Sequence, residues 1–211
     1  MKHKITLLAL LWISIISHAQ TKAVIVTDTI VDMGIYKSYF NYALKEPLYV
    51  TYALSKGGGD CNRNENSFNF KPCAITTATE GDYKASGYDR GHLANAEDFA
   101  GNCDNEEKTF FYFNCVPQTV KLNRGIWKSW ETKVRELSQT KDLFIIAGNI
   151  FSAKSLGKNH IGVPDYCYKI VIDKKTKVVL YCLLFPNDNS RTYSDITLKQ
   201  LKKKLGYHLI K

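Results

Sequence analysis

The chain has 211 residues and a formal net charge of +9, with 29 lysine and arginine residues against 20 aspartate and glutamate residues. Hydrophobic residues make up 45% of the sequence and charged residues 23%, which excludes a disordered chain, a collagen-like chain and a multi-span membrane protein. The excess of positive charge favours an acidic partner, because a basic surface attracts anions over long distances.

The first segment has the pattern of a secretory signal peptide. Two lysines precede an apolar run over residues 5–16, and a short segment of small and polar residues follows it. This order is typical of a signal that is cleaved on export, and the run is shorter than the ~20 residues that cross a bilayer. We predict a signal peptide over residues 1–19, cleavage after Ala19, and a secreted or periplasmic location without a membrane span. Cleavage would lower the formal charge from +9 to +7.

Residues 20–211 are predicted to form a single domain, since no linker, repeat or low-complexity stretch divides them. We expect a first strand over residues 23–27, then a hairpin of strands 36–43 and 48–54 that turns at Lys45-Glu46-Pro47. A long polar loop follows, from the three glycines after Lys56 to about Tyr88. Loops of that length in compact domains often carry function.

The middle of the chain combines strands with a helix. The apolar runs 109–114 and 143–147 predict two buried strands. Between them, from Leu122 to Leu137, apolar residues recur every three or four positions, which predicts a helix with one apolar face.

The last part of the chain is predicted to add a hairpin and a helix. The β-rich runs 166–172 and 178–185 flank a polar turn, and Ser194 can cap a helix over residues 195–205. Together the elements predict an α+β fold with a mainly antiparallel central sheet, helices packed on it and long loops.

The six cysteines are predicted to form disulfides, because an even number in an exported protein is typical of a disulfide framework. If the last hairpin closes about Lys175, Cys167 lies nearly opposite Cys182 and within bonding distance. The other two pairs follow only from proximity in the sequence: Cys61–Cys73 and Cys103–Cys115. A zinc site is the alternative, but the cysteines and histidines lack the spacing of zinc ligands.

A group of polar residues at Tyr88–His92 could carry chemistry. Asp89, Arg90 and His92 surround Gly91. Histidine accepts a proton near neutral pH, a carboxylate can orient its ring, and arginine binds phosphate oxygens. Taken alone, such a group is more commonly a surface ion pair beside an exposed histidine.

A second group follows on the predicted helix. Asn123, Trp127 and Glu131 are spaced by four residues, so they form a ridge along one side of a helix. The amide oxygen of Asn123 could bind a hard cation whose other positions are filled by water, as Mg²⁺ prefers, and Glu131 would reach the ion through water. The alternative is that Asn123 caps the helix and Glu131 is solvated, which alone is more common.

The two groups together resemble a known family. Residues 88–92 (YDRGH) resemble the Asp-Arg-Gly-His signature of the DNA/RNA non-specific endonucleases, which belong to the ββα-metal or His-Me finger superfamily. Residues 113–118 (FNCVPQ) and 122–127 (LNRGIW), with Glu131, resemble the second block of that family. The resemblance extends from the hairpin near Tyr49 to the last helix, and it implies a ββα-metal nuclease fold.

The resemblance implies roles for the matching residues. His92 corresponds to the general base that activates water, Asn123 to the only direct protein ligand of the metal, and Glu131 to the residue that holds the metal's water shell.

Four further residues are candidates for the active site. The resemblance implies that Arg90 lies near the scissile phosphate, that Asn114 belongs to the active site, and that Asp89 supports the loop. Arg63 is our candidate for stabilising the developing phosphate charge, with a solvated loop arginine as an equal alternative.

The implied activity is Mg²⁺-dependent hydrolysis of DNA and RNA by a secreted, sugar-nonspecific endonuclease, with Mn²⁺ or another divalent ion as a substitute. A basic surface would bind the nucleic-acid backbone without reading its sequence. The alternatives are a catalytically inactive nucleic-acid-binding protein of the same fold, or a disulfide-stabilised basic domain that binds acidic polysaccharide or a membrane surface. A homodimer is compatible with the sequence, and no inhibitor protein can be inferred from it.

Overall fold

A computed structural model of the chain describes residues 25–61 and 68–209. The predicted signal peptide, the start of the predicted first strand, and Arg63 lie outside the described residues. The strands are β1 Thr29–Asp32, β2 Lys37–Asn41, β3 Glu46–Leu54, β4 Tyr88–His92, β5 Cys115–Thr119, β6 Leu143–Leu156, β7 Ile161–Asp173, β8 Val179–Pro186 and β9 Ser194–Asp195. The helices are α1 Glu80–Tyr83, α2 Cys103–Glu107, α3 Lys128–Leu137 and α4 Leu198–Lys204. Short 3₁₀ turns occupy Ala96–Phe99 and Tyr112–Asn114, and a wide π-helical turn occupies Leu122–Trp127.

The central sheet has seven antiparallel strands in the order β1-β2-β3-β6-β7-β8-β9. Strands β4 and β5 pair separately as a two-stranded antiparallel ladder. The first half of β6 is almost continuously buried, as expected for a strand that is covered on both faces. These features confirm the predicted α+β fold with a mainly antiparallel central sheet.

The helical segment after β5 packs on the sheet through its apolar face. Leu122, Trp127, Trp130 and Val134 are buried in the same core as residues of the central strands. Trp127 contacts the ring of Phe185 on β8, with 5.2 Å between the ring centroids. This packing places the polar side of the segment toward β4. No helix within the described residues combines the length and the apolar character that a bilayer crossing requires.

Two predicted strands are wrong. Residues 25–28 are not in a strand, and the sheet begins at Thr29. The aromatic run 109–114 ends in a 3₁₀ turn, because the Asn114 amide donates to the carbonyl oxygens of Thr109 and Ala94, both at 2.9 Å. These bonds fold the chain back on itself, and the strand begins only at Cys115.

Both predicted helices are present, and the last one starts later than predicted. The first has the predicted bounds, Leu122 to Leu137, but it opens with the wide turn at Leu122–Trp127, within which Gly125 departs from helical geometry at φ −110° and ψ −112°. The last is capped by Thr197, whose hydroxyl accepts from the Gln200 amide while the Gln200 side chain accepts from the Thr197 amide. That reciprocal capping box outcompetes the predicted cap, Ser194, which pairs with β8.

The predicted disulfide pairs are wrong. Cys61 is bonded to Cys103, with 5.3 Å between their Cα atoms. The free cysteines are Cys73, Cys115, Cys167 and Cys182. On the β7–β8 hairpin, Cys182 pairs with Ile170 and not with Cys167. Cys167 lies three residues before Ile170, the partner of Cys182. Because side chains alternate between the two faces along a strand, this odd separation puts the two thiols on opposite faces of the sheet.

Loss of the Cys61–Cys103 bond should destabilise the protein. The bond joins positions separated by 42 residues, and a bond of this kind restricts the unfolded chain, which typically contributes ~2–4 kcal/mol. Urea denaturation of Cys61→Ser should show a loss in that range, whereas Cys73→Ser should stay close to wild type. Peptide mapping that found Cys61 joined to Cys73 would contradict this pairing.

Candidate active site

The β4–β5 ladder brings the two sequence groups together. His92 pairs with Cys115 and Asp89 with Gln118, and the chain leaves β5 directly into the turn that carries Asn123. Gly91 lies against the side chain of Gln118, where a Cβ atom would come within 2.2 Å of Oε1. The glycine between Arg90 and His92 therefore leaves room for the Gln118 side chain.

His92, Asn123 and Glu131 line one cleft of about 500 Å³. Its other lining residues are Asn95, Glu97, Arg124, Lys128 and Arg135. The structure thus brings together the predicted base, the predicted metal ligand and the predicted holder of the water shell. The cleft offers an imidazole, amide and carboxylate oxygens, and several cations.

Asp89 orients Asn123. Its Oδ2 accepts from the Asn123 amide nitrogen at 3.0 Å and from Arg124 Nε at 2.8 Å, and its Oδ1 accepts from Arg124 Nη2 at 2.7 Å. Asp89 holds the side-chain nitrogen of Asn123, and this bond fixes the direction of the side-chain oxygen. Burial raises the pKa of Asp89, but the hydrogen bonds from Arg124 and Asn123 outweigh it and hold the pKa below its usual value.

His92 is held on several sides. Its ring centroid lies 4.7 Å from that of Phe70 and 4.7 Å from that of Phe110. Its carbonyl oxygen accepts from Trp127 Nε1 at 3.3 Å, so the strand that carries the imidazole is tied to the helical segment that carries Asn123. The His92 imidazole and the Asn123 amide are therefore placed by the same packing.

A buried charge cluster lies behind the cleft. Glu131 is 7% exposed, Asp98 6% and Lys169 1%. Asp98 accepts from Arg135 at 3.1 Å and from the Tyr52 hydroxyl at 3.0 Å. Lys169 Nζ lies 4.3 Å from the centroid of the Trp127 ring. The cluster contains two acids and two bases, so its formal charges balance.

Burial shifts the pKa values in this cluster. Desolvation raises the pKa of Glu131 and of Asp98, while the Lys169 and Arg135 charges act in the opposite direction. Desolvation lowers the pKa of Lys169, and the two carboxylates oppose that shift. The ionised states of Glu131, Asp98 and Lys169 thus depend on the neighbouring charges.

Three of the predicted site residues that the structure describes, Asp89, Arg90 and Asn114, lie outside the cleft. Arg90 lines a neighbouring cleft with Tyr88 and Asp89, where it also bonds to the Tyr112 hydroxyl. Asn114 is fully buried, and its amide oxygen accepts from the Ala94 nitrogen at 2.9 Å. Because both ends of its amide bind backbone groups, Asn114 holds the segment after His92 and does not face the cleft.

The prediction missed several residues of the cleft and of the buried cluster. Arg135 continues the spacing of Asn123, Trp127 and Glu131 by one more step of four, so the helical ridge could have identified it. Lys169 had no such signal, because a lysine in a β-rich run is normally placed on the solvated face.

The residues present fit a divalent cation held mainly through water. Asn123 offers a neutral oxygen, and Glu131 offers a carboxylate in the same cleft, which are the ligand types that Mg²⁺ prefers. Within residues 25–61 and 68–209, no group of three or more histidine, cysteine, aspartate or glutamate side chains is arranged to hold a metal.

Comparison with known families identifies the chain. The sequence model of the DNA/RNA non-specific endonuclease family matches residues 19–209. The chain belongs to this family. The membership that the two sequence groups predicted is therefore confirmed.

Relatives of this endonuclease family member include proteins from distant organisms. Mitochondrial endonuclease G of Bos taurus is 32% identical over 142 residues, which cover 59% of this chain and 48% of that protein. A nuclease of Nostoc sp. is 37% identical over 117 residues, covering 54% and 43%. Human mitochondrial nuclease EXOG is 27% identical over 203 residues, covering 81% and 55%. The chain spans about half the length of the curated relatives it matches.

A solved structure has the same fold. A chain of the EndoG/EndoGI complex, a structure that describes the mechanism of EndoG inhibition, superimposes with a TM-score of 0.74 at 20% identity. The match covers 83% of this chain and 82% of that chain. At this identity the likeness shows the fold, and it confirms the predicted ββα-metal nuclease fold class.

Removing the buried charge of Lys169 should strongly destabilise this endonuclease family member. Lys169→Met would leave Glu131 and Asp98 buried without that cation, and breaking a buried charge pair typically costs ~3–5 kcal/mol. Burial already raises the pKa of both acids in the folded protein, and loss of the Lys169 charge should raise both pKa values further. As the pH rises through these pKa values, ionising the buried acids lowers the stability of the folded variant. The loss in unfolding free energy should therefore grow from acidic to neutral pH.

Urea denaturation across that pH range would measure the effect, with the exposed Lys158→Met as the matched control. The double variant Lys169→Met/Asp98→Asn should lose less stability than the two single losses added together. Equal losses in Lys169→Met and Lys158→Met would contradict the cluster.

Proposed function

We propose that the protein is an exported, metal-dependent endonuclease that hydrolyses phosphodiester bonds of DNA and RNA, with His92 as the general base. The observation that carries this proposal is the convergence of His92, Asn123 and Glu131 on one cleft in a chain of this family. Export is supported by the signal-peptide pattern of residues 1–19.

His92 supplies the proton transfer. An imidazole nitrogen takes a proton from the attacking water. The resulting hydroxide forms a bond to phosphorus, the bond to the leaving oxygen opposite it breaks, and that oxygen takes a proton from solvent water. The aromatic rings of Phe70 and Phe110 hold the imidazole against the ladder, so the base does not have to be ordered during the reaction. Water as the nucleophile gives the substrate's 2′-hydroxyl no required role, which is why DNA and RNA both serve.

Asn123 and Glu131 would hold the divalent ion. The Asn123 amide oxygen would bind it directly, and the Glu131 carboxylate would bind it through water. When bound, a divalent ion such as Mg²⁺ or Mn²⁺ neutralises the negative charge that develops on the phosphoryl and leaving oxygens. Asp89 fixes the direction of the Asn123 oxygen through its own hydrogen bond to the amide nitrogen.

Cations at the cleft bind the substrate backbone. Arg124, Lys128 and Arg135 line the cleft, and Arg90 lies in the cleft beside it. Contacts of arginine and lysine with phosphate oxygens position a nucleic acid without reading its bases. The net positive charge of the chain adds a salt-dependent attraction of the same kind.

The His92→Ala variant tests the proposal. Purified protein is incubated with plasmid DNA and with RNA, in the presence of Mg²⁺ or of EDTA. The wild type should cut both nucleic acids with Mg²⁺ and neither with EDTA. His92→Ala should lower kcat by ~10²–10⁴-fold, the range for loss of a general base.

The control is His160→Ala, which removes an exposed histidine at the β6–β7 turn and should keep wild-type activity. Binding of DNA without cleavage by the wild type under any divalent ion would favour the inactive binding protein instead. Undiminished cleavage by His92→Ala would exclude His92 as the base.

A further inference from the structure

Phe70 lies between two residues of the proposed active site. Its ring centroid is 4.7 Å from that of His92, with the planes tilted by 43°. The Arg90 guanidinium carbon lies 5.5 Å from the same ring centroid. One aromatic ring therefore contacts both the proposed base and the arginine proposed to bind phosphate.

The backbone next to Phe70 is firmly attached. The Lys71 nitrogen donates to the Phe110 carbonyl at 2.9 Å, and the Tyr112 nitrogen donates to the Lys71 carbonyl at 3.2 Å. Lys71 also forms an ion pair with Glu107 on α2. These bonds fix the position of the Phe70 ring relative to the segment that leads into β5.

Neighbouring rings complete the packing around Phe70. Phe110 lies 5.4 Å and Tyr112 5.7 Å from the Phe70 centroid. Phe110 also meets the His92 imidazole nearly edge-on, at 82°. The imidazole is thus held by two aromatic rings from two different chain segments, and only Phe70 also contacts Arg90 among the described cation–ring pairs.

We propose that Phe70 is a positioning residue for phosphodiester hydrolysis, which holds the His92 imidazole and the Arg90 guanidinium at a fixed separation. This inference rests on the proposed function. An aromatic ring suits both contacts, because its negative face attracts a cation and its edge and face pack against another ring. A leucine would fill much of the volume without attracting the guanidinium.

The chemistry explains why such a holder matters. The base must reach the attacking water while the cation reaches the phosphate, and a misplacement of about 1 Å can cost ~10²-fold in rate. Arg90 is exposed, and apart from its bond to the Tyr112 hydroxyl the Phe70 ring is the contact that restrains its long side chain among the described cation–ring pairs. Phe70 thus further restricts the rotamers of Arg90 before the substrate arrives.

The test compares Phe70→Leu and Phe70→Met with Phe70→Tyr and with the matched control Phe68→Leu. Phe68 packs on Phe110 at 5.4 Å and has no ring contact with His92 among the described residues. Phe70→Leu and Phe70→Met should lower kcat by ~10–100-fold with little change in KM. Phe70→Tyr, which keeps the aromatic ring, should retain activity, and Phe68→Leu should stay near wild type.

Two further measurements separate positioning from a general loss of structure. In the His92→Ala background, Phe70→Leu should lower kcat by a clearly smaller factor than in the wild type, because part of its effect on kcat acts through the imidazole, which that background lacks. In ¹H–¹³C spectra, Phe70→Leu should shift the His92 ring signals, whereas the signals of His160 and His208 should not move.

The inference is overturned if Phe70→Leu keeps wild-type kcat, if Phe68→Leu and Phe70→Leu lose activity equally, or if the His92 signals do not move. It is also overturned if Phe70→Leu lowers kcat by the same factor in the His92→Ala background as in the wild type. A wild-type protein that cleaves no nucleic acid would overturn the proposed function instead, and the His92 signals would still report whether Phe70 sets the imidazole.

Discussion

The short β4–β5 ladder is the constraint on which the site depends. Its register pairs Asp89 with Gln118 and His92 with Cys115, so the first polar group of the sequence lies beside the entry to the helical turn that carries the second. Asp89 can then bind Asn123 and Arg124, and the His92 carbonyl can accept from Trp127. A shift of one residue would turn each side chain of β4 to the face opposite its present one, and Asp89 would lose its bonds to Asn123 and Arg124.

The sheet contributes a buried charge to the same site. Lys169 on β7 extends to the helical segment, where its ammonium group lies over the Trp127 ring. Its charge lowers the pKa of Glu131 and so counteracts the effect of burial. A buried cation is costly by itself, and an apolar residue of similar volume would often serve stability as well. In the proposed function its presence is explained by Glu131, because the Lys169 charge favours the ionised carboxylate, which accepts hydrogen bonds from water.

Local sequence signals predicted the parts of this fold that depend on neighbouring residues. The hairpin at residues 36–54 and the helix after β5 follow from periodicity, and the family follows from the residues at 88–92 and 122–127. The wrong predictions concern features that residues distant in the sequence determine. The β7–β8 register depends on the turn and on a bulge between Val171 and Ile172, and these place Cys167 and Cys182 on opposite faces.

The remaining site residues are set by tertiary packing. Cys61 meets Cys103 only because the loop after β3 returns to the start of α2, where the Cys61 nitrogen donates to the Ala100 carbonyl at 3.0 Å. Phe70 reaches His92 through backbone bonds to a segment about forty residues away in the sequence. Neither contact leaves a periodic or compositional signal, so only the three-dimensional structure could reveal it.

The most direct test of this account is Mn²⁺ binding, measured by electron paramagnetic resonance together with the histidine NMR signals. Bound Mn²⁺ should broaden the His92 signals and leave those of His160 and His208 sharp. Asn123→Ala and Asp89→Asn should weaken binding by ~10–100-fold, as losses of a ligand and of the group that orients it do. Asp104→Asn, which removes one negative charge as Asp89→Asn does but at an exposed position of α2, should bind as the wild type does. Unchanged Mn²⁺ affinity in Asn123→Ala, or equal broadening of all three histidines, would contradict the account.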